Sequence, residues 1–402
     1  MSSTDVMQNP GFAFVPEEVC GLIRERIAPH FPEFLRCNST AELENLSSYQ
    51  TIEADIRGVL DRLYCGNFSR EMAPANNRYR FVAWNLERGI EFQGQLHALR
   101  THPYLADADV YLLTETDVGM ARSGNRAVAQ EIASTLGLHY CFAPCYLNLS
   151  KGAGLERMAD GENELGLHGN AILSRYPIRN VRPIHLKNGI DKMAGREKRL
   201  GRQTALAAEI EFSNYRATAV TVHLDANSSQ AHRCDQMRSV VQDLPRDMPV
   251  ILGGDWNTST YNSSRAFNAI LGFWLRVLMG AENVITNHYL HPEKRFEREL
   301  FSLLEAQGFD YRESNRMGEP TVQYDVDDHK TRMNLGEWVP GWCFAFIQWA
   351  LRRHDGKCPL KLDWFATRGA CVENPVIVGD LRSSNGQPLS DHAAIGVDIV
   401  VE

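Results

Sequence analysis

The sequence has no excess of positive charge and no long apolar runs. Its 402 residues carry 42 Lys and Arg against 50 Asp and Glu, a formal net charge of −8. An acidic chain gains no long-range attraction to nucleic acid or to an anionic membrane, although a local basic groove stays compatible with this balance. The most apolar stretches, Ala266–Met279 and Val339–Leu351, are too short to cross a bilayer. The first residues, Met1–Val6, have no basic start and no apolar core behind them, so no signal peptide is predicted.

The nine cysteines form no CxxC pair and show no regular spacing. An odd, scattered set is more typical of a reducing compartment than of a disulfide framework. Together with the features above, this predicts a soluble, cytoplasmic chain. At this length the chain can bury a large core in one domain or two. Nothing in the sequence points to a protein partner.

Residues 1–78 differ in character from the rest of the chain. Pro16–Phe34 and Ala41–Tyr64 carry apolar residues at helical spacing, with charged residues between them. Ser69–Asn77 has the composition of a linker. We therefore predict a helical N-terminal extension over residues 1–78, packed on a main domain over residues 79–402.

From Tyr79 onward strand and helix patterns alternate, which is typical of a layered α/β domain. The predicted strands are Phe81–Trp84, Val110–Leu113, His139–Ala143, Ala171–Leu173, Ala205–Phe212, Ala217–Val222, Val250–Leu252, Leu362–Phe365 and Ala394–Val401. The predicted helices are Gln93–Leu105, Asn125–Leu136, Gln230–Leu244, Ser264–Leu278 and Phe296–Ala306. Residues from about 311 to 360 are polar and poorly patterned, and we interpret them as an insertion.

The stretch Pro249–Thr258 is the most informative part of the main domain. Three apolar residues are followed by Gly253-Gly254, where the backbone must turn tightly or approach another group closely. Asp255 and Asn257 come next, two residues apart, so their side chains leave an extended chain on the same face. This pair suits a site that orients a metal-bound, phosphate-like group, but an Asp/Asn turn after a strand gives the same pattern.

Polar side chains recur beside the ends of the apolar strands. They are Asn85, Glu87, Glu115, Asp117, His223, Asp225, Asp255, Asn257 and Asp363, together with Asp391 and His392 just before the last strand. Active sites of layered α/β proteins collect at such strand ends. Each residue alone has an ordinary interpretation, and we expect Asp117 to be a solvated carboxylate. The whole set predicts one site.

With these motifs the chain resembles the endonuclease/exonuclease/phosphatase superfamily, which includes DNase I-like, sphingomyelinase-like and inositol-phosphatase-like members. The matching motifs, in the order of the family, are Trp84-Asn-Leu-Glu87, Leu113-Thr-Glu115, Gly169-Asn-Ala-Ile-Leu-Ser-Arg175, Thr221-Val-His223, Gly253-Gly-Asp-Trp-Asn257, Leu362-Asp363 and Ser390-Asp-His392. The resemblance covers residues 79–402. It implies a DNase I-like four-layer α/β sandwich, in which two packed, mostly antiparallel sheets are flanked by helices.

The resemblance also implies roles at the metal and at the water. Glu115 would be the principal metal ligand with Asn85 beside it, and Asp391 would complete the metal site or its surroundings. Glu87 falls where some members carry an acidic residue near the metal, although many nucleases of the family have Asp there. His392 would hold or deprotonate the attacking water, with Asp363 orienting its imidazole.

The remaining matches would bind the phosphate. His223 would face the scissile phosphate and stabilise its charge or protonate the leaving group. Asp255 and Asn257 would position the nucleophile and bind a phosphate oxygen. Asn170 is either a phosphate contact or a turn residue before a strand.

The residue types favour a hard metal ion independently of the resemblance. Carboxylate and amide oxygens without clustered Cys and His predict Mg²⁺ or Mn²⁺, as one or two ions, rather than structural zinc. Two histidines paired with carboxylates can divide acid and base tasks near neutral pH.

The residue at position 223 bears on the substrate. It is typically Tyr in relatives that resemble abasic-site DNA repair enzymes, and His in those that resemble DNase I, sphingomyelinases and inositol phosphatases. With the acidic charge balance, His223 disfavours a repair-type nuclease. Arg202 and the run Arg196–Arg199 form the most basic local stretch, which is either a solvated loop or a contact for an anionic substrate.

The aromatic block Trp338–Trp349 also has two interpretations. It is either a buried packing insert or a lid and interfacial contact for a lipid or another hydrophobic phosphoester. Ala266–Met279 has the same two interpretations.

We therefore predict a Mg²⁺- or Mn²⁺-dependent hydrolase that cleaves a phosphodiester by metal-assisted attack of a water activated by His392 and Asp363. A lipid or small-molecule diester is favoured over the alternative, a DNA or RNA nuclease of the same fold. A non-catalytic binding module is a third hypothesis, which the intact set of site residues disfavours.

Overall fold

The computed structural model describes residues 15–70, 73–258, 272, 274–276, 278–325 and 343–401. The α-helices are α1 (Glu17–Gly21), α2 (Phe31–Phe34), α3 (Thr40–Glu44), α4 (Ser47–Leu60), α5 (Phe92–Thr101), α6 (Val128–Leu136), α7 (Gln230–Asp243), α8 (Ala281–Val284), α9 (Arg298–Ala306) and α10 (Cys343–Leu351). The strands are β1 (Tyr64–Asn67), β2 (Arg78–Arg88), β3 (Val110–Val118), β4 (His139–Asn148), β5 (Leu167–Ser174), β6 (Ile178–His185), β7 (Arg199–Gly201), β8 (Thr204–Glu211), β9 (Arg216–Thr221), β10 (Val250–Asp255), β11 (Val322–Asp325), β12 (Lys357–Leu360), β13 (Asp363–Arg368), β14 (Cys371–Val378) and β15 (Ala394–Val400).

Local sequence explains where several of these elements begin and end. Helix α7 starts after Ser229, whose hydroxyl accepts the backbone N–H of His232 at 3.2 Å. Helix α6 stops at Gly137, which has the left-handed conformation (φ 67°) common after a helix end. Strand β3 is buried over almost its whole length, as expected for the middle of a sheet covered on both faces.

The larger sheet has eight strands in the order β1-β4-β5-β3-β2-β15-β14, with β7 paired to β4. Its neighbours run antiparallel except β2 and β3, which are parallel. The smaller sheet has five strands in the order β13-β10-β9-β8-β6. Among its described strands, β9 and β10 are parallel and the other neighbours are antiparallel. Both parallel pairs lie in the middle of their sheets, where the site-bearing strands end.

The two sheets pack face to face over an apolar core that includes Phe81, Leu112, Ile172, Ile251 and Phe365. Helices α5, α6 and the N-terminal helices cover the outer face of the larger sheet. Helices α7 and α9 cover the outer face of the smaller one. The four-layer α/β sandwich is therefore confirmed.

The predicted N-terminal helical segments are confirmed as α1 to α4, with a π-helical turn at Leu22–Ile27. They share one apolar cluster with the larger sheet. Strand β1, which lies inside the predicted extension, pairs with β4 as the edge of that sheet. The division of the chain into residues 1–78 and 79–402 stays a prediction.

A disulfide joins Cys65 of β1 to Cys141 of β4. The two residues lie directly opposite each other in the antiparallel register, with 4.0 Å between their Cα atoms. We did not predict this bond, because cysteines separated by 76 residues meet only once β1 has paired with β4.

A smaller apolar cluster lies beside the sandwich, and we call it the satellite cluster. Its buried members are Val284, Ile285, Tyr289, Val322, Leu351, Leu360 and Leu362. They come from α8 and the π-helical turn after it, the two-stranded antiparallel sheet β11–β12, the end of α10 and the residue before β13. The predicted insertion thus contains a two-stranded sheet and a helix, while its residues 326–342 lie outside the described residues. Most of the predicted helix Ser264–Leu278 also lies outside them.

Within the described parts of the chain, no helix combines the length and apolar character needed to cross a membrane.

Candidate active site

Most of the predicted strand-end residues come together where the two sheets meet. Asn85 and Glu87 lie near the end of β2, Glu115 lies in β3, His223 follows β9, Asp255 ends β10, Asp363 begins β13 and His392 precedes β15. Asp255 and Asp363 face each other in the antiparallel register of β10 and β13. The amide of Asn85 donates to Asp255 Oδ2 at 3.1 Å, a bond that links the larger sheet to the smaller one. The architecture therefore gathers residues that are far apart in the chain.

His392 forms a dyad with Asp363. Its Nδ1 lies 2.8 Å from Asp363 Oδ2, and both side chains are buried. The Ser390 hydroxyl accepts the backbone N–H of His392 at 3.1 Å and donates to the carbonyl of Asn85 at 2.7 Å. The indole N–H of Trp84 donates to the carbonyl of His392 at 3.1 Å. The imidazole is thus held through its ring nitrogen and through its own backbone.

Asp255 lies between the two histidines of the site. Its Oδ2 is 3.5 Å from His223 Nε2 and 3.7 Å from His392 Nε2. Its Oδ1 accepts the backbone N–H of Asn257 at 3.0 Å, and the Asn257 amide donates to Oδ2 at 3.2 Å. One buried carboxylate therefore connects both imidazoles and both asparagines of the site.

Gly254 explains how the backbone reaches this arrangement. Its φ is +136°, and a Cβ built there would lie 2.2 Å from the carbonyl oxygen of Val222. Only a glycine allows β10 to approach the residue before His223 so closely. The close approach predicted for Gly253-Gly254 is confirmed, and it places Asp255 next to His223.

Opposite effects act on the pKa values of the two histidines. Burial lowers the pKa of His223 to about 4, and the nearby Glu115 carboxylate offsets only part of this effect. Burial also acts to lower the pKa of His392, but the carboxylates of Asp363, Asp255 and Asp391 raise it well above its usual value. At neutral pH His223 is neutral, whereas His392 carries a proton in the ion-free protein.

The pKa values of two carboxylates of the site, Asp255 and Glu115, are also shifted in opposite directions. Burial raises the pKa of Asp255 to about 7, and Asp363 and Glu115 add to this because they are like charges. Burial also acts to raise the pKa of Glu115, but the Arg88 guanidinium and the imidazole of His223 together hold it far below its usual value. Glu115 is therefore ionised, as a metal ligand must be.

Four non-glycine residues of the site have a left-handed backbone. They are Glu87 (φ 46°), Arg88 (φ 69°), Glu115 (φ 51°) and Asn257 (φ 53°). This conformation is uncommon for residues with a Cβ, and such outliers cluster at functional sites. Their position supports a functional role for this edge of the sandwich.

A partly buried network of charges adjoins Glu115. Arg88 Nη1 lies 3.6 Å from Glu115 Oε2, and Arg88 Nε lies 3.1 Å from Glu156 Oε1. Arg122 contacts the other oxygen of Glu156 at 2.9 Å and also Glu197 at 2.9 Å. The network therefore fixes the guanidinium that faces the Glu115 carboxylate.

Asp117 belongs to the same network, so the expected solvated carboxylate is wrong. Its side chain is fully buried, and Arg122 binds both of its oxygens at 2.8 and 3.0 Å. His168 Nδ1 lies 2.8 Å from Asp117 Oδ1. The sequence around Asp117 does not indicate these partners, because Glu156 lies between β4 and β5 and Glu197 lies between β6 and β7.

Several other predicted residues lie at the rim of the cluster or away from it. The side chain of Asp391 is 41% exposed, with Oδ1 4.0 Å from His392 Nε2. Glu87 is buried beside Asn85, which accepts its backbone N–H at 2.9 Å. Asn170 lies inside β5 rather than in a turn, and its amide donates to the carbonyl of Thr204 at 2.8 Å. Their roles in binding stay predictions.

Two further residues are held in ion pairs outside the cluster. Arg202 is half exposed and lies 3.4 Å from Asp61 in the N-terminal segment. Its described contacts do not reach the cluster, and its role in substrate binding stays a prediction. Asp225, another strand-end carboxylate, is buried and pairs with Lys192 at 2.7 Å.

The donor set fits a hard divalent cation. Among the described His, Cys, Asp and Glu side chains, Asp255, Asp363 and His392 form the group whose donor atoms all lie within 4.8 Å of one another. This group differs from the predicted ligands Glu115, Asn85, Asp391 and Glu87. Asn85, whose amide N–H contacts Asp255, and the ionised Glu115, whose charge acts on Asp255, lie beside this group, and their side chains contain oxygen donors of the kind that Mg²⁺ and Mn²⁺ prefer.

A family model and several solved structures match this chain. The model of the Endonuclease/Exonuclease/phosphatase family matches residues 82–392. A search of curated proteins found no match. The chain is similar to the crystal structure of an endonuclease/exonuclease/phosphatase from Beutenbergia cavernae, with 13% identity and a TM-score of 0.49, covering 81% of this chain and 72% of that one.

Two eukaryotic structures are similar at the same level. The D. rerio TDP2 complexed with single strand DNA product has 14% identity and a TM-score of 0.44, covering 81% of this chain and 99% of that one. The human Nocturnin catalytic domain with bound sulfate anion has 15% identity and a TM-score of 0.44, covering 82% and 97%. The family model carries the assignment, because it spans well over half of the chain and includes every residue of the site from Asn85 to His392. The protein therefore belongs to the Endonuclease/Exonuclease/phosphatase family, whose members are hydrolases of phosphoric esters.

Proposed function

We propose that the protein is a divalent-metal-dependent phosphodiesterase in which His392, oriented by Asp363, activates the attacking water. The observation that carries the proposal is the buried dyad, with 2.8 Å between His392 Nδ1 and Asp363 Oδ2, beside Asp255 and the ionised Glu115. A histidine oriented by a carboxylate next to hard oxygen donors is an arrangement that suits water activation.

Each residue has a distinct task in this proposal. Glu115 and Asn85 hold the cation, with Glu87 and Asp391 close by. When bound, a Mg²⁺ or Mn²⁺ ion would polarise the phosphate and lower the pKa values of groups around it. A bound cation would also lower the raised pKa of His392, which leaves Nε2 free to accept the proton of the water while Nδ1 is engaged by Asp363.

The remaining residues act on the phosphate. His223, neutral at pH 7, donates an N–H to a phosphate oxygen and thereby stabilises the charge that develops there. The Asn257 amide and Asp255 fix the position of the nucleophile, and Asn170 and Arg202 are proposed contacts for the rest of the substrate. One ion or two satisfies this scheme.

For the substrate, we favour a lipid or small-molecule phosphodiester. The net charge of −8 does not favour binding to a polyanion. Large apolar side chains near the satellite cluster are exposed, with Trp349 at 58% and Leu278 at 82%. They support the interfacial contact proposed for Trp338–Trp349, of which residues 338–342 lie outside the described residues.

A cytoplasmic location stays part of the proposal. The Cys65–Cys141 disulfide gives a direct way to test it, because such bonds are rare in reducing compartments. Alkylation of free thiols in freshly lysed cells would show whether this pair is reduced.

The test is a substrate panel with wild-type protein in EDTA, Mg²⁺, Mn²⁺ and Ca²⁺. The panel contains bis-p-nitrophenyl phosphate, sphingomyelin, phosphoinositides, plasmid DNA, single-stranded DNA and RNA. We expect hydrolysis only with Mg²⁺ or Mn²⁺ and a higher kcat/KM for a lipid or small diester than for DNA. Faster cleavage of DNA or RNA would establish the nuclease alternative, and no hydrolysis of any diester would favour a binding module.

A further inference from the structure

Strand β11 and the residue before it are hydrogen-bonded to the chain segments that carry the dyad. Val322 forms an antiparallel bridge with His392, and the N–H of Ala393 donates to the carbonyl of Thr321 at 2.7 Å. The Thr321 hydroxyl accepts the N–H of Asp363 at 3.1 Å. Thr321, which directly precedes β11, thus bonds to Asp363 and to the neighbour of His392. These bonds fix the position of β11 beside the dyad.

Tyr324 lies on the same face of the sheet as His392, because residues paired in an antiparallel bridge share a face and Val322 pairs with His392. It lies two positions after Val322, on the same face of the strand, and its half-buried ring packs against the satellite cluster. Gln323, between them, is on the opposite face and is exposed. Among the contacts of the described residues, the Tyr324 hydroxyl has no hydrogen-bond partner.

The surroundings of the phenol are acidic. Burial raises the pKa of Tyr324, and the carboxylates of Asp391, Asp255, Glu115 and Glu87 raise it further. These four carboxylates belong to the proposed active site, so the hydroxyl lies within their electrostatic field. It remains protonated at neutral pH and offers a neutral donor in a region where the other groups are mainly acceptors.

We propose that Tyr324 is a substrate-contacting residue, whose hydroxyl donates a hydrogen bond to a non-bridging oxygen of the phosphodiester; this inference rests on the proposed function. A phosphodiester anion entering the site is repelled by carboxylates that the metal does not neutralise. A neutral O–H donor attracts the anion without forming an ion pair with those carboxylates. Strand β11 lies outside the strand-end motifs, so this substrate contact would come from the inserted segment.

The test compares Tyr324→Phe with Gln323→Ala, using bis-p-nitrophenyl phosphate and Mn²⁺. Tyr324→Phe keeps the ring and its packing but removes the donor. We expect kcat/KM to fall by about 10-fold to 100-fold, the loss typical of one hydrogen bond to a charged group, with unchanged thermal unfolding. Binding of inorganic phosphate to the Mn²⁺-loaded protein, measured by calorimetry, should weaken by a similar factor. Gln323→Ala should match wild type in both measurements.

The inference is overturned if Tyr324→Phe keeps kcat/KM and phosphate affinity within about twofold of wild type, or if Gln323→Ala loses as much. Failure of the proposed function has a different signature. In that case wild type itself would hydrolyse nothing, while the phosphate-binding comparison would still show whether the hydroxyl contacts an anion.

Discussion

The two histidines of the site are equally buried but lie in different surroundings. His392 faces three carboxylates, those of Asp363, Asp255 and Asp391, which raise its pKa. His223 lies near Asp255 and near Glu115, which also pairs with Arg88, and burial together with the charges of His168 and His392 lowers the pKa of His223 to about 4. The comparison shows that burial alone does not determine the charge of a side chain. The charges of both signs around each imidazole contribute as well.

The largest effect is expected from Glu115→Gln, which changes the carboxylate next to His223. The substitution removes the ionised oxygen and leaves Arg88 without this partner. Metal-dependent hydrolysis should fall by more than the roughly 10–100-fold typical of a mutated outer-shell partner. The matched control is Glu156→Gln, which also loses a carboxylate bound to Arg88 but keeps Glu115. Equal losses in kcat/KM for both variants would mean that Glu115 acts through the network and is not a ligand.

Gly254→Ala tests the close approach of β10 to the segment that carries His223. Gly254 directly precedes Asp255, the carboxylate that lies near both histidines. The new Cβ would lie 2.2 Å from the Val222 carbonyl oxygen, at a φ that disfavours any side chain. We expect a loss of about 1–3 kcal/mol or more in the free energy of unfolding, measured in urea.

The control for this change is Gly58→Ala in α4, where nothing lies within 4 Å of the added Cβ. It should stabilise the protein by about 0.5–1 kcal/mol. If Gly254→Ala were as stable as Gly58→Ala, the close approach of β10 to Val222 would not be present in solution.

NMR titration of the imidazoles tests the difference between His223 and His392 in the wild-type protein, without a substitution. In EDTA, the ¹⁵N resonances of His223 should titrate near pH 4, and those of His392 well above 6.5. At pH 7 one ring is then neutral and the other charged. Two similar titrations near pH 6.5 would remove the difference on which the division of roles depends.

The smallest expected effect is the pH dependence of stability in His392→Gln. The folded-state pKa of His392 lies above its ordinary value of 6.5, so its stabilising contribution is complete below that pH and is lost as pH rises through the folded-state pKa. In EDTA, the difference in free energy of unfolding between wild type and His392→Gln should therefore be largest at pH 6 and smaller at pH 9. A difference that grows with pH would reverse the sign and contradict the raised pKa.

The sequence predicted the central strands and the residues at their ends because both are encoded locally. Val250–Leu252 is apolar because it is buried on both faces, and Asp255 follows within three residues of it. The unpredicted β1, β6 and β14 are the outermost strands of their sheets. Edge strands face solvent on one side and lose the clear apolar pattern, as Pro183 and the arginines of β6 illustrate.

The parts of the site that sequence did not predict depend on long-range contacts. Arg88 meets Glu156 across 68 residues of chain, and Arg122 meets Glu197 across 75, with helices and strands in between. Tyr324 is similar, since only the bridge from Val322 to His392 shows that its strand adjoins the site. Spacing along the chain carries no information about such partners until the sheets have formed.

The most direct test of the central claim is hydrolysis of bis-p-nitrophenyl phosphate by wild type, His392→Ala and His97→Ala, each with Mn²⁺ and with EDTA. His97 lies exposed on α5, away from the dyad, and serves as the control. We predict that wild type and His97→Ala hydrolyse the diester only with Mn²⁺, and that His392→Ala is slower by about 10²–10⁴-fold. Hydrolysis by His392→Ala at the wild-type rate would contradict the claim that His392 and Asp363 activate the attacking water.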